Sequence, residues 1–214
     1  MNLNRNEVRS AIIGMVLGDG SISHRVGRKE ASYQMTHCEK QYDYLLWKQQ
    51  ILNKITSSSV QNTKRVIDDK IFKGYHLGTR QHPMFTKLYN RFYYKKIKVV
   101  DEYLVKHITP LAFAIWYMDD GCFGNANRKN DSFFLCTQNF DYSNQLLLKK
   151  SLKLKYNLDW NLNKAEKAKD GSYHYRLRLA NRCNDEFISI IAPFVITSMR
   201  YKLGLYANTL NKNI

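Results

Sequence analysis

The sequence predicts an α/β (α+β) protein built from two pseudo-symmetric units, each with the element order αββαββα. The first observation is that Asp19-Gly20 and Asp120-Gly121 each end an apolar, helix-like segment and lie 101 positions apart in a chain of 214 residues. The second is that aromatic and apolar positions recur at nearly the same spacing. The third is that segments of helical periodicity alternate with segments of strand-like alternation. We expect the first helices to pack together and the antiparallel sheets to form one concave surface.

The elements of the first unit follow from the spacing of its apolar residues. Helical periodicity predicts helices at 6–18, about 40–54 and about 83–94. The first should begin at Asn6 as the N-cap, with Glu7 in the first turn. Alternating residues predict strands at 21–25, 31–37, 59–67 and 71–80, paired as two hairpins.

The second unit repeats this order. We predict helices at 109–119, 142–156 and 184–196, with strand pairs within 122–138 and 158–180. Since no proline-rich or low-complexity linker separates the halves, we place the division at residues 1–105 and 106–214.

The charge of the chain indicates a nucleic-acid partner. Lysine and arginine number 34 against 18 aspartates and glutamates, which gives a net charge of +16 spread along the chain. Such an excess favours binding to phosphates through counterion release. An anionic membrane is the alternative, but the sequence has no basic amphipathic helix or lipidation signal.

Cysteine usage and hydropathy indicate an intracellular protein. Cys38, Cys122, Cys136 and Cys183 form no CxxC pair, so neither a zinc site nor a disulfide framework is expected. The first residues do not resemble a signal peptide, and no apolar run is long enough to cross a membrane. A bacterial cytoplasm and an organelle (mitochondrion or chloroplast) fit equally well.

Small residues in the two Asp-Gly segments predict a tight helix pair. Gly14 and Gly18 lie on one face of the first helix, and Ala114 lies in the second, so the backbones can approach closely. Close packing would bring Asp19 and Asp120 together at the helix ends. We expect the glycines that follow them to adopt a left-handed conformation.

Two carboxylates at this place predict a divalent cation. Each would face the negative end of a helix dipole, and the two would repel each other. Oxygen ligands suit Mg²⁺, with Mn²⁺ as a substitute, and we expect Asp19, Asp120, Gly18 and Asp119 to supply them. Asp119 stands where the first unit has Gly18, so the repeat favours Asp120 as ligand, and capping of the helix is the alternative for Asp119. Asp-Gly is also a common turn signal, but two copies in a basic chain favour a shared site.

At these residues the chain resembles a single-chain LAGLIDADG homing endonuclease. The resemblance covers essentially the whole chain and includes Thr109-Pro110-Leu111-Ala112, Thr137-Gln138-Asn139-Phe140 and Tyr201-Lys202-Leu203 beside the two motifs. It implies a saddle-shaped fold and metal-dependent cleavage of double-stranded DNA at a long target. It also implies that Asp19 and Asp120 are the metal-binding carboxylates.

The resemblance further implies polar and basic residues that order water and offset phosphate charge. His37 and Gln138 match the strand-end positions of the two halves, and Lys202 matches the C-terminal lysine. Its counterpart is Lys96 or Lys98, which the sequence does not separate because the expected proline is missing. His37 replaces the more usual glutamine, which would make activity sensitive to pH near neutrality.

The hairpins predict the DNA-reading surface, since β ribbons fit the major groove. Ser172–Ala180 alternates, which puts its basic residues on one face. In the first hairpin Ser32 and Gln34 should read bases. Their counterparts Phe133 and Leu135 are apolar, which indicates either contact with thymine methyl groups or the opposite assignment of the strand faces. A solvated polar face is the alternative for any single position. We expect DNA contacts from Arg25, Arg28, Lys29, Ser32, Gln34, Arg65, His76, Arg80, Arg128, Lys129, His174, Arg176 and Arg178.

The sequence therefore predicts a monomeric, site-specific endonuclease that cuts both strands of an asymmetric target across the minor groove. The alternative is a maturase that binds intron RNA on the same scaffold without cutting. A third hypothesis is a regulatory DNA-binding protein with an inactive site, and the presence of both aspartates disfavours it.

Overall fold

The computed structural model describes residues 2–124, 132–167, 171 and 173–207. The first half contains helices and strands in the predicted order, followed by a short hairpin and helix that were not predicted. These elements are α1 (Arg5–Leu17), β1 (Ser21–Ser23), β2 (Ser32–Cys38), α2 (Tyr42–Leu52), β3 (Ser58–Ile67), β4 (Lys70–Thr79), α3 (Pro83–Phe92), β5 (Tyr93–Tyr94), β6 (Ile97–Lys98) and α4 (Glu102–Lys106).

The second half repeats the αββαββα order and ends in 3₁₀ turns. Its elements are α5 (Pro110–Asp120), β7 (Gly121–Gly124), β8 (Ser132–Leu135), α6 (Tyr142–Tyr156), β9 (Trp160–Lys167), β10 (Tyr173–Leu179) and α7 (Asn184–Ile191). The helix predicted at 184–196 ends early because Pro193 begins a 3₁₀ turn at Ala192–Phe194. A longer 3₁₀ segment, Thr197–Ala207, follows. The predicted fold class is confirmed.

The start of α1 differs from the prediction by two residues. Asn4, not Asn6, is the N-cap, and its side chain accepts hydrogen bonds from the backbone N–H groups of Asn6 and Glu7. The Glu7 carboxylate accepts a hydrogen bond from the Asn4 backbone N–H at 2.7 Å, which completes a capping box.

The two sheets have the same topology. Their strand orders are β1-β2-β4-β3 and β7-β8-β10-β9, and every pairing is antiparallel. Met35 lies opposite Leu77 in the first sheet, and Leu135 lies opposite Leu177 in the second. All four side chains are buried. Matching residues of the two sheets are therefore 100 positions apart in the chain, whereas the two Asp-Gly motifs are 101 positions apart.

This register corrects one prediction about the second sheet. Phe133 and Leu135 are completely buried, so they are core residues and not counterparts of Ser32 and Gln34 on the open face. A shift of one residue exchanges the two faces of a strand. Counted from Leu135, the counterpart of Gln34 is Phe134, which is only partly buried.

The core of the protein is centred on α1 and α5, whose backbones are in contact. A Cβ atom placed on Gly14 would lie 2.3 Å from the carbonyl oxygen of Ala112, and one placed on Gly18 would lie 2.4 Å from the Cβ of Asp119. The small residue that faces Gly14 is Ala112, two positions before the Ala114 noted in the sequence. Nearly every side chain of both helices beyond their first turns is buried.

The glycines after the two aspartates are required for space. Neither Gly20 nor Gly121 has a positive φ, so the predicted left-handed conformation is wrong. A Cβ on Gly20 would lie 2.4 Å from the hydroxyl of Tyr33, and one on Gly121 would lie 2.2 Å from the Tyr117 ring. Each buried tyrosine thus packs against the turn that carries the aspartate.

All four cysteines are free thiols. Within the described ranges, each helix is too short or too polar to cross a lipid bilayer.

The contact between α1 and α5 leads to a stability prediction for Gly14→Ala. In an ordinary helix this change stabilises by about 1 kcal/mol. Here the new methyl group meets backbone, so we expect a loss of about 1–3 kcal/mol in the free energy of unfolding. Urea unfolding followed by circular dichroism measures it.

Gly78→Ala is the matched control, because its Cβ would lie 3.6 Å from the nearest atom, an ordinary contact with His76. We expect it to change the free energy of unfolding by less than about 0.5 kcal/mol. Equal stabilities for the two variants would contradict the close helix contact.

Candidate active site and DNA interface

Asp19 and Asp120 lie at the same end of the central helix pair. Asp19 follows α1 and keeps 40% of its side chain exposed, while Asp120 ends α5 and is partly buried. Burial, together with the charges of Asp19 and Asp119, raises the pKa of Asp120 to about 8. Burial and the charge of Asp119 likewise raise the pKa of Asp19. The site therefore gathers negative charge where it is poorly solvated, as a cation site would.

Two lysines bind the backbone carbonyls of the motif ends. The Lys98 ammonium group donates to the carbonyl oxygens of Val16, Gly18 and Gly20 at 2.7, 3.2 and 3.3 Å. The Lys202 ammonium group donates to the carbonyl oxygen of Asp119 at 2.6 Å. Gly18 and Asp119 occupy matching places in the two motifs, so the lysines form a pseudo-symmetric pair. They also compensate the negative ends of the two helix dipoles.

The structure separates the two candidate lysines of the first half. Lys96 is exposed in the turn between β5 and β6, where its φ is 68°. Lys98, two residues later, reaches the end of α1. We therefore assign the first-half position to Lys98. The Gly18 and Asp119 carbonyls each keep a second lone pair beside their lysine bond, so their predicted role as metal ligands stays a prediction.

A buried ion pair joins the two halves beside this site. The carboxylate of Asp119 is completely buried and accepts a short hydrogen bond from the ammonium group of Lys48, which is also completely buried. The Lys48 ammonium group also lies 4.0 Å from the centroid of the Tyr44 ring. Burial lowers the pKa of Lys48, and the neighbouring Asp119 charge opposes that shift.

His37 connects the ion pair to Asp19. Its Nε2 lies 3.1 Å from the Lys48 ammonium group, and its Nδ1 lies 3.8 Å from Oδ2 of Asp19. Burial and the Lys48 charge lower the pKa of His37 to about 3. This shift favours the neutral imidazole at pH 7 and so does not support the expectation that His37 makes activity sensitive to pH near neutrality.

Lys48 was not among the residues predicted for the site. The one signal was its position on the apolar face of α2, four residues after Tyr44 and four before Leu52, both of which are buried. A lysine on such a face usually has a buried partner. Its partner lies 71 residues away in the other half, so sequence spacing alone does not indicate the pair.

The second half lacks this polar pair. Counted from the paired strands, Thr137 takes the place of His37, and its hydroxyl bonds the side-chain carbonyl of Gln145 at 3.2 Å. On α6 the buried Leu148 takes the place of Lys48. Gln138, the predicted match to His37, is partly buried in the loop before α6. The two halves of the site are therefore chemically different.

The donor set fits a divalent cation. Asp19, His37 and Asp119 each offer one ligand atom, and these atoms lie within 4.8 Å of one another. Lys48 already binds the Asp119 carboxylate, which leaves Asp19 and the neighbouring Asp120 as the carboxylates available to a cation. Within the described part of the chain, Oδ2 of Asp119 is buried and has no hydrogen-bond partner. Carboxylate oxygens are the ligands that Mg²⁺ and Mn²⁺ prefer.

The open face of the first sheet carries most of the predicted DNA contacts of that half. A cavity of about 560 Å³ on this face is lined by Arg25, Arg28, Ser32, Gln34, His76 and Arg80, among others. Lys29 and Arg65 are exposed outside this cavity. Two further polar residues next to His76 were not predicted. The Thr36 hydroxyl lies 3.1 Å from Nδ1 of His76, and Gln61 lies opposite His76 on β3.

The open face of the second sheet is also basic. The Arg176 guanidinium stacks 4.2 Å from the centroid of the Phe134 ring, and Nε of Arg178 donates to the Ser132 hydroxyl at 3.0 Å. His174 lies at a register shift between Tyr173 and Tyr175, where regular alternation is interrupted. Arg128 and Lys129 lie outside the described residues.

The model of the LAGLIDADG DNA endonuclease family matches residues 9–187 of the chain. The chain belongs to this family. Its predicted enzyme class, a DNA endonuclease, and its predicted DNA partner are thereby confirmed.

Two curated relatives are similar to the chain. DNA endonuclease I-ChuI of Chlamydomonas applanata is 28% identical, with 95% of this chain and 97% of the relative covered. Cytochrome b mRNA maturase bI2 of Saccharomyces cerevisiae is 30% identical over 95% of this chain but only 48% of the relative. The chain thus spans nearly all of one relative and about half of the other.

A solved structure supports the fold over almost the whole chain. The homing endonuclease I-WcaI bound to its DNA recognition sequence has a TM-score of 0.83 and 24% identity, with 95% of this chain and 88% of that chain covered. This likeness confirms the predicted two-motif architecture.

The buried ion pair leads to a second stability prediction. Lys48→Met leaves the Asp119 carboxylate buried without its counter-ion, so we expect the free energy of unfolding to fall by about 3–5 kcal/mol. Chemical denaturation measures the change.

The double variant Lys48→Leu with Asp119→Gly is the control, because it installs the residues that the opposite half has at these places. We expect it to recover most of the lost stability, apart from about 1 kcal/mol for a glycine in a helix. A single variant as stable as the parent would show that the pair is not buried.

Proposed function

We propose that this member of the family is a homing endonuclease that hydrolyses both strands of a long, asymmetric DNA site with the help of a divalent cation. The observation that carries the proposal is the meeting of Asp19 and Asp120 at one end of the α1–α5 pair. Two basic sheet faces flank that end, and each is suited to one major-groove half-site. Because one chain supplies both halves, the active form is a monomer, with the division near residue 105.

Asp19 and Asp120 would hold the cation, which we propose is Mg²⁺, with Mn²⁺ as a substitute. When bound there, such an ion supplies Lewis-acid chemistry that lowers the pKa of a water molecule and stabilises a leaving oxygen. The remaining steps rest on the protein. The neutral His37 imidazole next to Asp19 can orient water through hydrogen bonds, and the Lys48–Asp119 pair fixes its position. Lys98 and Lys202 place positive charge at the motif ends, where it offsets phosphate charge.

The asymmetry of the target follows from differences between the sheet faces. Gln34 on the first face corresponds to Phe134 on the second, and His76 corresponds to Arg176. An amide can bond adenine, an arginine can bond guanine, and an aromatic ring can contact the thymine methyl group. Half-sites with different base sequences are therefore favoured.

RNA maturation is the second candidate function. The observation that favours it is the 30% identity to a protein named cytochrome b mRNA maturase bI2. This function does not exclude DNA cleavage, since one basic chain can bind both nucleic acids.

Asp19→Asn and Asp120→Asn test the nuclease proposal. Loss of either carboxylate removes several kcal/mol of cation-dependent stabilisation, so we expect cleavage to slow by at least about 100-fold while DNA binding persists. The substrate is a plasmid carrying the uninterrupted insertion locus of this protein's own gene, incubated with Mg²⁺ and with EDTA. Linear product should form only with Mg²⁺, and binding is followed by gel shift.

Asp159→Asn is the control, because Asp159 pairs with Lys153 and Arg182 outside the site. It should cut at the parental rate. Normal cleavage by either active-site variant would refute the assignment, and promoted splicing of a precursor RNA without any DNA cleavage would favour the maturase.

Arg176→Ala tests base reading on the second sheet. If Arg176 bonds a guanine, its loss should weaken binding by about 1–3 kcal/mol and relax selectivity at one base pair. Binding to a panel of singly substituted sites measures both effects. Lys150→Ala, an exposed change on α6, should alter neither. Equal weakening at every site would show that Arg176 contacts phosphate instead.

A further inference from the structure

A second basic cavity lies between α1 and α3, away from the proposed nuclease site. Its volume is about 540 Å³, and its lining includes Arg5 and Arg9 of α1 together with Lys87 and Arg91 of α3. Each helix contributes two cations four residues apart, so both helices supply positive charge to the cavity lining. The described residues that line it include no carboxylate. We call this feature the rear groove.

The position of the rear groove separates it from the DNA-reading faces. Arg5 begins α1 and Asp19 follows its other end, so the helix of 13 residues places them about 20 Å apart. On the α3 side, the Phe85 ring stacks on the Tyr33 ring with centroids 6.1 Å apart. Tyr33 is on the core face of β2, whereas Ser32 and Gln34 are on the open face. A duplex on the open faces therefore does not fill the rear groove.

Two arginines of the groove are held in place by one aromatic ring. The guanidinium carbon of Arg91 lies 4.9 Å from the centroid of the Tyr103 ring, and that of Arg9 lies 6.0 Å from it. One carboxylate, Asp101, compensates Arg91 at 3.1 Å. Stacked guanidinium groups lose little entropy when they bind an oxyanion, since their orientation is already fixed.

The arrangement is unfavourable for the isolated protein. Like charges four residues apart on a helix repel each other, and Arg5 also faces the positive end of the α1 dipole. The corresponding helices of the second half, α5 and α7, contain no lysine or arginine, and α7 begins with Asp185 and Glu186. Since the fold is repeated but the cations are not, the architecture does not require them.

We propose that the rear groove binds the phosphodiester chain of a single-stranded RNA segment, separately from the DNA-reading faces. Arginine forks match phosphate oxygens in a bidentate manner. A recess of about 540 Å³ between two helices suits an extended strand or loop better than a stiff duplex. The amides of Asn6 and Asn90, which also line the groove, can hydrogen-bond 2′-hydroxyl groups. This site is independent of the proposed nuclease function.

The test compares two double variants of equal charge. Arg5→Ala with Lys87→Ala removes exposed cations of the rear groove, and Arg25→Ala with Arg80→Ala removes exposed cations of the first DNA-reading face. Fluorescence anisotropy of the full chain follows a labelled oligouridylate, its deoxy counterpart and a DNA duplex over a range of salt concentrations. Urea unfolding verifies that both variants are folded.

We expect the rear-groove variant to bind the oligouridylate about tenfold more weakly. The slope of log affinity against log salt concentration should also become shallower by about 1.4, because each of the two lost phosphate contacts accounts for about 0.7. Its affinity for the duplex and its cleavage of DNA should be unchanged. The variant of the DNA-reading face should lose duplex affinity instead. Unchanged RNA binding by the rear-groove variant would overturn the proposal. The same holds if the deoxy strand binds as tightly as the RNA, or if both variants lose RNA affinity equally.

Discussion

The close approach of α1 and α5 is the constraint on which the other features depend. Gly14 against Ala112, and Gly18 against Asp119, leave no room for larger side chains. Two helix ends that meet this closely concentrate the negative poles of their dipoles and their two terminal carboxylates. The protein stabilises that arrangement from both sides, with Lys98 and Lys202 on the backbone carbonyls and Lys48 on the buried Asp119. The close packing of the helices thus requires the positive charge of these lysines at the helix ends.

Much of the fold was predictable from the sequence because each unit carries strong local signals. Helical spacing, alternation and the paired Asp-Gly segments specified the order of elements and placed Asp19 and Asp120 together. The exact register of β8 was not predictable, since the repeat spacing changes by one residue between the motif and the strand. Of the site residues, Lys98 could be distinguished from Lys96 only when the hairpin of β5 and β6 was seen. Lys48 was missed because its partner is distant in the chain.

The two halves share a backbone plan and the matching aspartates and lysines of the site, but they differ at neighbouring polar positions. His37 and Lys48 are replaced by Thr137 and Leu148, and Gln34 is replaced by Phe134. The sheet faces can therefore read different bases, and the two sides of the proposed metal site would present different groups to the two strands of DNA. Identical packing with unequal polar groups allows one scaffold to act on a substrate that has no symmetry of its own.

The Lys48–Asp119 pair restricts which halves can be combined in one protein. A homodimer of the first half would set Gly18 against Gly18 and bury two ammonium groups without a carboxylate. A homodimer of the second half would bury two Asp119 carboxylates beside leucines. Each unpaired charge would be penalised by several kcal/mol. Neither half can therefore pair with a second copy of itself without leaving a buried charge uncompensated.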